Sequence, residues 1–171
     1  MLLEILKITI PTLVVFFTAF FTLKQVLKKD LDVRKAEIVL QNKKIVTPIR
    51  LQAYERIILF LERISPNSVI SRLQTPNMTV EQLHKEMLVL IRSEFEHNLS
   101  QQLYLSVDAW EMVRNSKEKT IQLLNSCLKD IDPKDNAIKL SQTIFEKLIE
   151  VDTSPTQEAI KYLKKEISVI F

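Results

Sequence analysis

The chain has 171 residues, a formal net charge of +3 and no glycine. Glycine supplies the left-handed turns and the close backbone approach that phosphate-binding loops need. Its absence excludes the P-loop, the dinucleotide-binding fingerprint and the G-x-S-x-G nucleophile elbow. The single cysteine, Cys127, cannot form an intrachain disulfide, and its apolar sequence neighbours indicate simple packing.

The positive charge is concentrated in the first 47 residues, which hold eight Lys/Arg and four Asp/Glu, or +4. Residues 48–171 hold sixteen Lys/Arg and seventeen Asp/Glu, or −1. A nucleic-acid-binding domain normally carries an excess of basic residues. We therefore expect no nucleic-acid partner.

The N-terminal segment is strongly apolar and has no charged residue over positions 8–23. These 16 residues fall short of the about 20 that a spanning helix needs, but leucines on both sides extend the run. The charged ends of Lys7 and Lys24 can then reach the two interfaces. We predict a transmembrane anchor over residues 1–28. The alternatives are a cleaved signal peptide and a buried soluble helix interrupted by Pro11.

Basic residues follow the predicted anchor, whereas a single lysine precedes it. The positive-inside rule therefore places the rest of the chain in the cytoplasm, as a single-pass protein. Residues 29–46 are predicted to form a basic helical stalk. The basic side chains can contact anionic headgroups, which makes the lipid bilayer an expected partner, or they can act only as topology signals. The candidate membrane-surface residues are Lys24, Lys28, Lys29, Arg34 and Lys35.

A partial heptad pattern runs through the stalk. Leu31, Ile38 and Ile45 recur every seven residues, whereas Arg34 and Gln41 between them are polar. Half of a heptad seam does not by itself establish a coiled coil. The stripe could instead pack on the C-terminal domain.

Residues 47–171 predict a bundle of helices, because no segment shows sustained strand alternation. Proline follows a capping residue at Thr47-Pro48 and at Ser65-Pro66, so each pair predicts a helix start. Four more helices are predicted, from Val80 to about Gln102, from Ser106 or Val107 to about Ile131, from Asp132-Pro133 to about Val151, and from Ser154-Pro155 onwards. Short links between them favour antiparallel helical hairpins, and the fold class is all-α.

A polar layer interrupts the apolar face of the helix that begins at Val80. Folding the next helix back on it brings Glu94 level with Lys117, and His97 level with Arg114. The arrangement is interpreted either as a salt-bridge layer that fixes the hairpin register or as a patch for a partner or ligand. The candidate residues are Glu94, His97, Asn98, Gln101, Arg114, Lys117 and Arg50.

Two glutamate–histidine pairs have the spacing found in di-iron helical bundles, Glu81 with His84 and Glu94 with His97. Both pairs lie on one helix, thirteen residues apart. That separation is about 20 Å, so the pairs cannot share two metal ions. We predict no metal site, no cofactor, no catalytic residue and no enzymatic activity.

Three stretches carry a resemblance: YERIILFLERISP, IRSEFEHNLSQQLYLS and DAWEMVRNSKEKT. They resemble a family of small bacterial proteins that have one N-terminal membrane span and no assigned function. The resemblance covers most of the chain after the anchor. It implies a bacterial inner-membrane protein and supplies no catalytic residues.

These observations lead to two hypotheses. The first is a membrane-anchored helical interaction or scaffold protein at the cytoplasmic face, which holds a protein partner or copies of itself. The alternative is a helical-bundle enzyme or a ligand- or metal-binding protein centred on Glu94 and His97.

Overall fold

The computed structural model describes residues 2–129, 131–150 and 153–170. Helices account for most of these residues, and no strand occurs among them apart from one isolated bridge between Thr79 and Asn136. The α-helices are α1 (Leu2–Arg63), α2 (Pro66–Leu73), α3 (Val80–Asn98), α4 (Val107–Ser126), α5 (Ala137–Glu150) and α6 (Pro155–Ile170), and a short 3-10 helix covers Leu99–Leu103. The predicted all-α class is confirmed for the described part of the chain.

Helix α1 is longer than the sequence pattern predicted. We expected a new helix to begin at Thr47-Pro48, but α1 continues without a break through Pro48 to Arg63. The prediction of a restart is wrong. The fixed φ of proline is compatible with a helix, although the missing N–H removes one bond and the ring crowds the carbonyl four residues earlier. The freed carbonyl belongs to Lys44, an exposed position where water can satisfy it.

The chain forms two compact units, Met1–Thr47 and Pro48–Phe171. In the first unit, every side chain that the structure describes between Lys7 and Val46 is exposed. Among the described residues, no helix combines the length and the apolar content that crossing a membrane requires. The predicted anchor also draws on residues 1–6, 8, 9 and 11, whose side chains lie outside the described part.

The hydrophobic core belongs to the second unit. The end of α1 buries Tyr54, Ile57 and Leu61, and Ile64 directly after the helix is buried too; these residues recur at the three- and four-residue spacing of one helix face. Pairs in contact include α4 with α6, α3 with α5, and α2 with α3. The largest buried side chains besides these four are Phe60, Leu83, Met87, Ile91, Leu124, Leu140, Ile144 and Leu163.

Side-chain caps occur at three of the predicted helix starts. Thr79 and Gln82 form the reciprocal capping box of α3, with hydrogen bonds of 3.0 and 3.3 Å. The Ser106 hydroxyl accepts from the Ala109 N–H at 3.0 Å, and the Ser154 hydroxyl accepts from the Gln157 N–H at 3.3 Å. Each cap satisfies an orphan donor at a helix start, so these starts follow from local sequence.

Helix α5 begins at Ala137, five residues beyond the predicted start at Asp132. The intervening residues pair with the chain before α3. The Val80 N–H donates to the Asp135 carbonyl at 2.9 Å, and the Ala137 N–H donates to the Met78 carbonyl at 2.9 Å. The Asp135 N–H also donates to the Asp132 carbonyl at 3.0 Å in a turn. These bonds use backbone groups that an earlier helix start would need, so α5 begins only at Ala137.

Helices α3 and α4 end earlier than predicted. Helix α3 stops at Asn98 and is followed by the 3-10 helix, and α4 stops at Ser126 rather than near Ile131. At the end of α3, the Asn98 side chain donates to the Glu94 carbonyl at 2.8 Å. Such side-chain bonds compete with the helical backbone pattern, and asparagine consequently favours helix ends.

Candidate functional site

Glu94 lies at the centre of the predicted polar layer and is 9% exposed. Its Oε2 is 3.4 Å from Nη1 of Arg63, and its Oε1 is 3.5 Å from Nη2 of Arg72. Arg63 ends α1 and Arg72 lies in α2, so one carboxylate links three helices. Because two separate arginines each take one oxygen, the Glu94 charge is neutralised without a buried cation.

Lys117 does not pair with Glu94 as predicted. Its ammonium lies 2.8 Å from Oε1 of Glu118 and 4.3 Å from the centroid of the Phe95 ring. The predicted register of the hairpin is therefore wrong by one residue, because Lys117 contacts Phe95 and not Glu94. Successive helix positions lie about 100° apart, so Phe95 contacts α4 whereas Glu94 contacts α1 and α2.

The predicted pairing of His97 with Arg114 is also wrong. Both side chains are exposed, and the ion pair of Arg114 is with Glu111 on its own helix, at 3.5 Å. His97 lies outside the buried face of α3, which here includes Glu94 and Asn98. An exposed ion pair one turn apart contributes little to stability. Because His97 and Arg114 are both exposed, neither belongs to a buried polar layer.

Asn98 and Gln101 do lie inside the protein, each 9% exposed. Asn98 donates to the Glu94 carbonyl, and the Gln101 side-chain amide donates to the Ser100 hydroxyl at 3.3 Å. These bonds are made within the α3 end and the 3-10 helix. Asn98 and Gln101 therefore bond to residues nearby in sequence and stabilise the end of α3, next to Glu94.

An aromatic cluster occupies the position where the predicted ion pairs were expected. The Phe95 ring is 5.5 Å from that of Trp110, in a stacked arrangement, and 5.9 Å from that of Phe60. Lys117 adds its cation–π contact on the same ring, an interaction that contributes about 0.5–2 kcal/mol. The sequence signal was present, since Phe95 is the one apolar residue in the run SEFEHN.

Arg50 joins a different set of residues, near the start of the second unit. Its Nε donates to the Tyr104 carbonyl at 3.1 Å. One turn further along α1, the fully buried Tyr54 has a hydroxyl without a hydrogen-bond partner, and Oε2 of Glu166 on α6 also lacks one. Burial raises the pKa of Tyr54, and the negative charge of Glu166 raises it further.

Sequence analysis did not predict the grouping of Arg50, Tyr54 and Glu166, although a signal existed. Tyr54 lies on the apolar face of its helix with Ile57 and Leu61, where a hydroxyl needs a partner when buried. Its neighbour Glu166 lies on α6, more than one hundred residues away in sequence. The phenol is neutral at pH 7, and its raised pKa extends the neutral form to more alkaline pH, so this tyrosine can donate a hydrogen bond but does not carry charge.

The histidine motifs do not form a metal centre. His84 has its Nε2 2.9 Å from Oδ1 of Asn125, which holds α3 against α4. In residues 2–129, 131–150 and 153–170, no group of three His, Cys, Asp or Glu side chains is arranged to hold a metal ion. A depression of about 470 Å³ opens beside Arg63, and none of the seven predicted patch residues lines it.

The five candidate membrane-surface residues, Lys24, Lys28, Lys29, Arg34 and Lys35, are all exposed on α1. Arg34 is 3.8 Å from Asp30, one turn earlier. A surface ion pair of this kind leaves the arginine free to exchange partners, since it contributes at most about 1 kcal/mol.

Comparison with known proteins identifies the chain at the level of a family. A family of unknown function, DUF7935, matches residues 1–170. No curated protein and no solved structure matches the chain. The predicted membership of a family without an assigned function is therefore confirmed. Because the match extends over nearly the whole chain, the protein belongs to the DUF7935 family of unknown function.

Proposed function

We propose that the chain is a membrane-anchored helical interaction module. The N-terminal part of α1 attaches it to a lipid bilayer, the inner membrane of a bacterium. The helical unit that begins at Pro48 faces the cytoplasm and holds a protein partner there. No catalytic step is part of this proposal.

One observation carries the proposal, the exposed phenylalanine-rich segment of α1. Phe16, Phe17, Phe20 and Phe21 are each between 51% and 62% exposed. The rings contact one another, with centroids 5.9–6.4 Å apart. Soluble proteins rarely expose a contiguous apolar surface of this kind, and such surfaces mark membrane or protein contacts.

The distribution of apolar residues around α1 favours insertion over lying flat on the membrane. A helix that lies in the interface has one apolar and one charged face. Residues 8–23 instead carry no charge on any face. A helix that is apolar all round needs an apolar environment on every side.

The hydroxyl groups of this segment are compatible with a bilayer. Thr22 donates its hydroxyl hydrogen to the carbonyl of Thr18 at 2.6 Å, and Thr18 donates to the carbonyl of Val14. Polar groups in hydrocarbon must find their partners within the protein. These two threonines find theirs on the same helix.

The connection between α3 and α4 offers a surface for the protein partner. Leu103 and Val107 are 79% and 78% exposed, and Tyr104 between them is exposed as well. They are close in sequence and lie at one end of the hairpin. Tyrosine is enriched among the residues that dominate binding at interfaces, and exposed apolar side chains beside it enlarge the surface that a partner can cover.

Membrane fractionation of cells that express the full chain tests the anchor. We expect the chain to stay with membranes after an alkaline carbonate wash and to float with lipid in a density gradient. A Phe17→Lys, Phe20→Lys variant should be released, whereas the matched control Val33→Lys, Leu40→Lys should stay bound. Wild-type protein in the washed supernatant would refute the anchor.

Topology is tested by thiol labelling in intact cells. Cys127 is replaced by alanine, and a single cysteine is introduced at Ser168 near the C-terminus. A membrane-impermeant reagent should leave the Ser168→Cys variant unlabelled until the cells are opened. Labelling of intact cells would place the helical unit on the other side.

A further inference from the structure

A stripe of exposed apolar side chains runs along α1 beyond the phenylalanine-rich segment. Leu27, Leu31, Ile38 and Ile45, here called the α1 seam, are each between 58% and 63% exposed. Their spacings of four, seven and seven residues place them within about 40° of one another around the helix. No break interrupts the helix over this stretch, so the stripe is continuous.

We propose that the α1 seam pairs, in parallel and in register, with the α1 seam of a second copy of this chain. The occupant is thus the same helix of an identical molecule. The parallel direction rests in part on the proposed anchor, because two copies inserted the same way present their α1 helices with the same polarity. The seam then forms a short left-handed coiled coil.

The charges beside the seam are complementary in the parallel arrangement. With Leu31, Ile38 and Ile45 at the a positions of a heptad, Asp30 occupies a g position and Lys35 the following e position. In a parallel dimer, a g residue faces the next e residue of the other helix. Asp30 of each copy therefore meets Lys35 of the other, which gives two symmetric attractive pairs.

The polar residues of the seam determine its register and limit its strength. Arg34 and Gln41 occupy the d positions, where a polar residue costs stability but selects one alignment. Within each chain Asp30 lies 3.8 Å from Arg34, which offsets repulsion between the two Arg34 side chains. The dimer should consequently depend on the high local concentration that a shared membrane provides.

A competing stripe on another face of α1 is less suited to pairing. Val26, Val33 and Leu40 also recur every seven residues, but the residue three positions after Val26 is Lys29, and the residue three positions after Leu40 is Lys43. Pairing through that stripe would bring two lysines of each chain into the interface, and burying unpaired cations is costly. Pairing through the α1 seam brings one cation of each chain into the interface, Arg34, which lies next to the Asp30 carboxylate.

Cysteine cross-linking of the full chain in membranes tests the proposal. In a Cys127→Ala background, single substitutions are made in the seam (Leu31→Cys, Ile45→Cys) and in the competing stripe (Val33→Cys, Leu40→Cys). After mild oxidation, we expect several-fold more covalent dimer from the two seam variants. Equal yields at all four positions, or higher yields at Val33 and Leu40, would overturn the proposal.

The same variants distinguish parallel from antiparallel pairing. In a parallel dimer in register, Leu31→Cys links to itself, since disulfides need β-carbons about 4 Å apart. In an antiparallel pair centred on Ile38, it would link instead to Ile45→Cys on a differently tagged copy. A predominance of the mixed product would overturn the proposed direction.

A charge exchange tests the predicted ion pairs. Lys35→Glu should reduce the cross-linking of Leu31→Cys, and adding Asp30→Lys in the same chain should restore it. The outcome is separable from that of the proposed function. Membrane-bound protein without seam-specific cross-links would refute the dimer alone, whereas seam-specific cross-links in protein that does not bind membranes would refute the anchor alone.

Discussion

One helix carries two hydropathy patterns, and the difference between them separates the two units of the protein. Between residues 54 and 63, α1 has buried and exposed positions, with Tyr54, Ile57 and Leu61 inside and Glu55 and Glu62 outside. Over residues 12–27, the side chains are exposed on every face although most are apolar. The apolar side chains of the first pattern are buried within the chain, whereas those of the second need an apolar contact outside it.

The comparison shows that apolar content alone does not identify a core. Phe60, in the second unit, is 1% exposed and its ring contacts that of Phe95 on α3. Phe20, in the first unit, is 51% exposed, and its ring contacts those of Phe16 and Phe21 on the same helix. The contribution to folding follows the surface removed from water, about 25 cal/mol per Å². The same type of mutation should therefore destabilise the fold strongly in the second unit and little in the first.

The largest expected effect comes from a matched pair of Phe→Ala substitutions. Phe60 is 1% exposed in the core, and Phe20 is 51% exposed. Phe60→Ala should lower the free energy of unfolding by about 3–5 kcal/mol, since it loses buried surface and leaves a cavity. Phe20→Ala should leave the denaturation midpoint of the helical unit unchanged. Equal losses, measured by urea denaturation of purified full-length protein, would show that Phe20 belongs to a core.

Removing the unpaired hydroxyl of Tyr54 extends the comparison to a buried polar group within the core. Tyr54→Phe should raise the free energy of unfolding at pH 7 by about 1 kcal/mol, because a buried polar group without a hydrogen bond destabilises the fold. The measurement is chemical denaturation of the two proteins side by side. A loss of 1 kcal/mol or more would mean that the hydroxyl donates to Glu166.

The same variant predicts a pH dependence. Because the pKa of Tyr54 is raised above its ordinary 10.0 in the folded state, the fold favours the neutral phenol. The stability that this provides is fully present below pH 10 and is lost as pH rises through the folded-state pKa. Wild-type protein should therefore lose stability above pH 10 faster than Tyr54→Phe, in denaturation series from pH 8 to about 11.5.

The capping box of α3 gives a smaller effect. Thr79→Ala removes the acceptor of the Gln82 N–H and should cost about 1 kcal/mol. Thr22→Ala in the first unit is the matched control, because its hydroxyl bonds within the middle of α1 and caps no helix end. A thermal melt monitored by circular dichroism compares them, and a larger loss at Thr22 would contradict the assignment.

Local rules account for what could be predicted from sequence. The capping box at Thr79 and Gln82, and the caps at Ser106 and Ser154, depend on residues three positions apart, so the pattern contains all of the physics. Pro48 shows the limit of such rules. Its φ suits the middle of a helix as well as a start, but an interior proline loses one backbone bond and crowds the preceding turn, so local rules favour a start that the structure does not have.

The polar layer could be predicted only in part because it depends on contacts between distant elements. The burial of Glu94 followed from the face that it shares with Leu83 and Met87. Its partners, Arg63 and Arg72, lie on α1 and α2, and the sequence does not specify which neighbouring helix faces a given side of α3. A shift of one residue moves a side chain by about 100°, enough to replace one partner helix by another.

The smallest expected effect tests the corrected partners of Glu94. Glu94→Ala leaves Arg63 and Arg72 unpaired, but both arginines are about half exposed and remain hydrated. The loss should therefore be about 1 kcal/mol or less, well below the 3–5 kcal/mol of a fully buried pair. Double-mutant cycles in urea should give a measurable coupling for Glu94 with Arg63 and with Arg72, and none for Glu94 with Lys117. Since Lys117 contacts Phe95 on the neighbouring side of the helix, coupling confined to Lys117 would restore the register first predicted from the sequence.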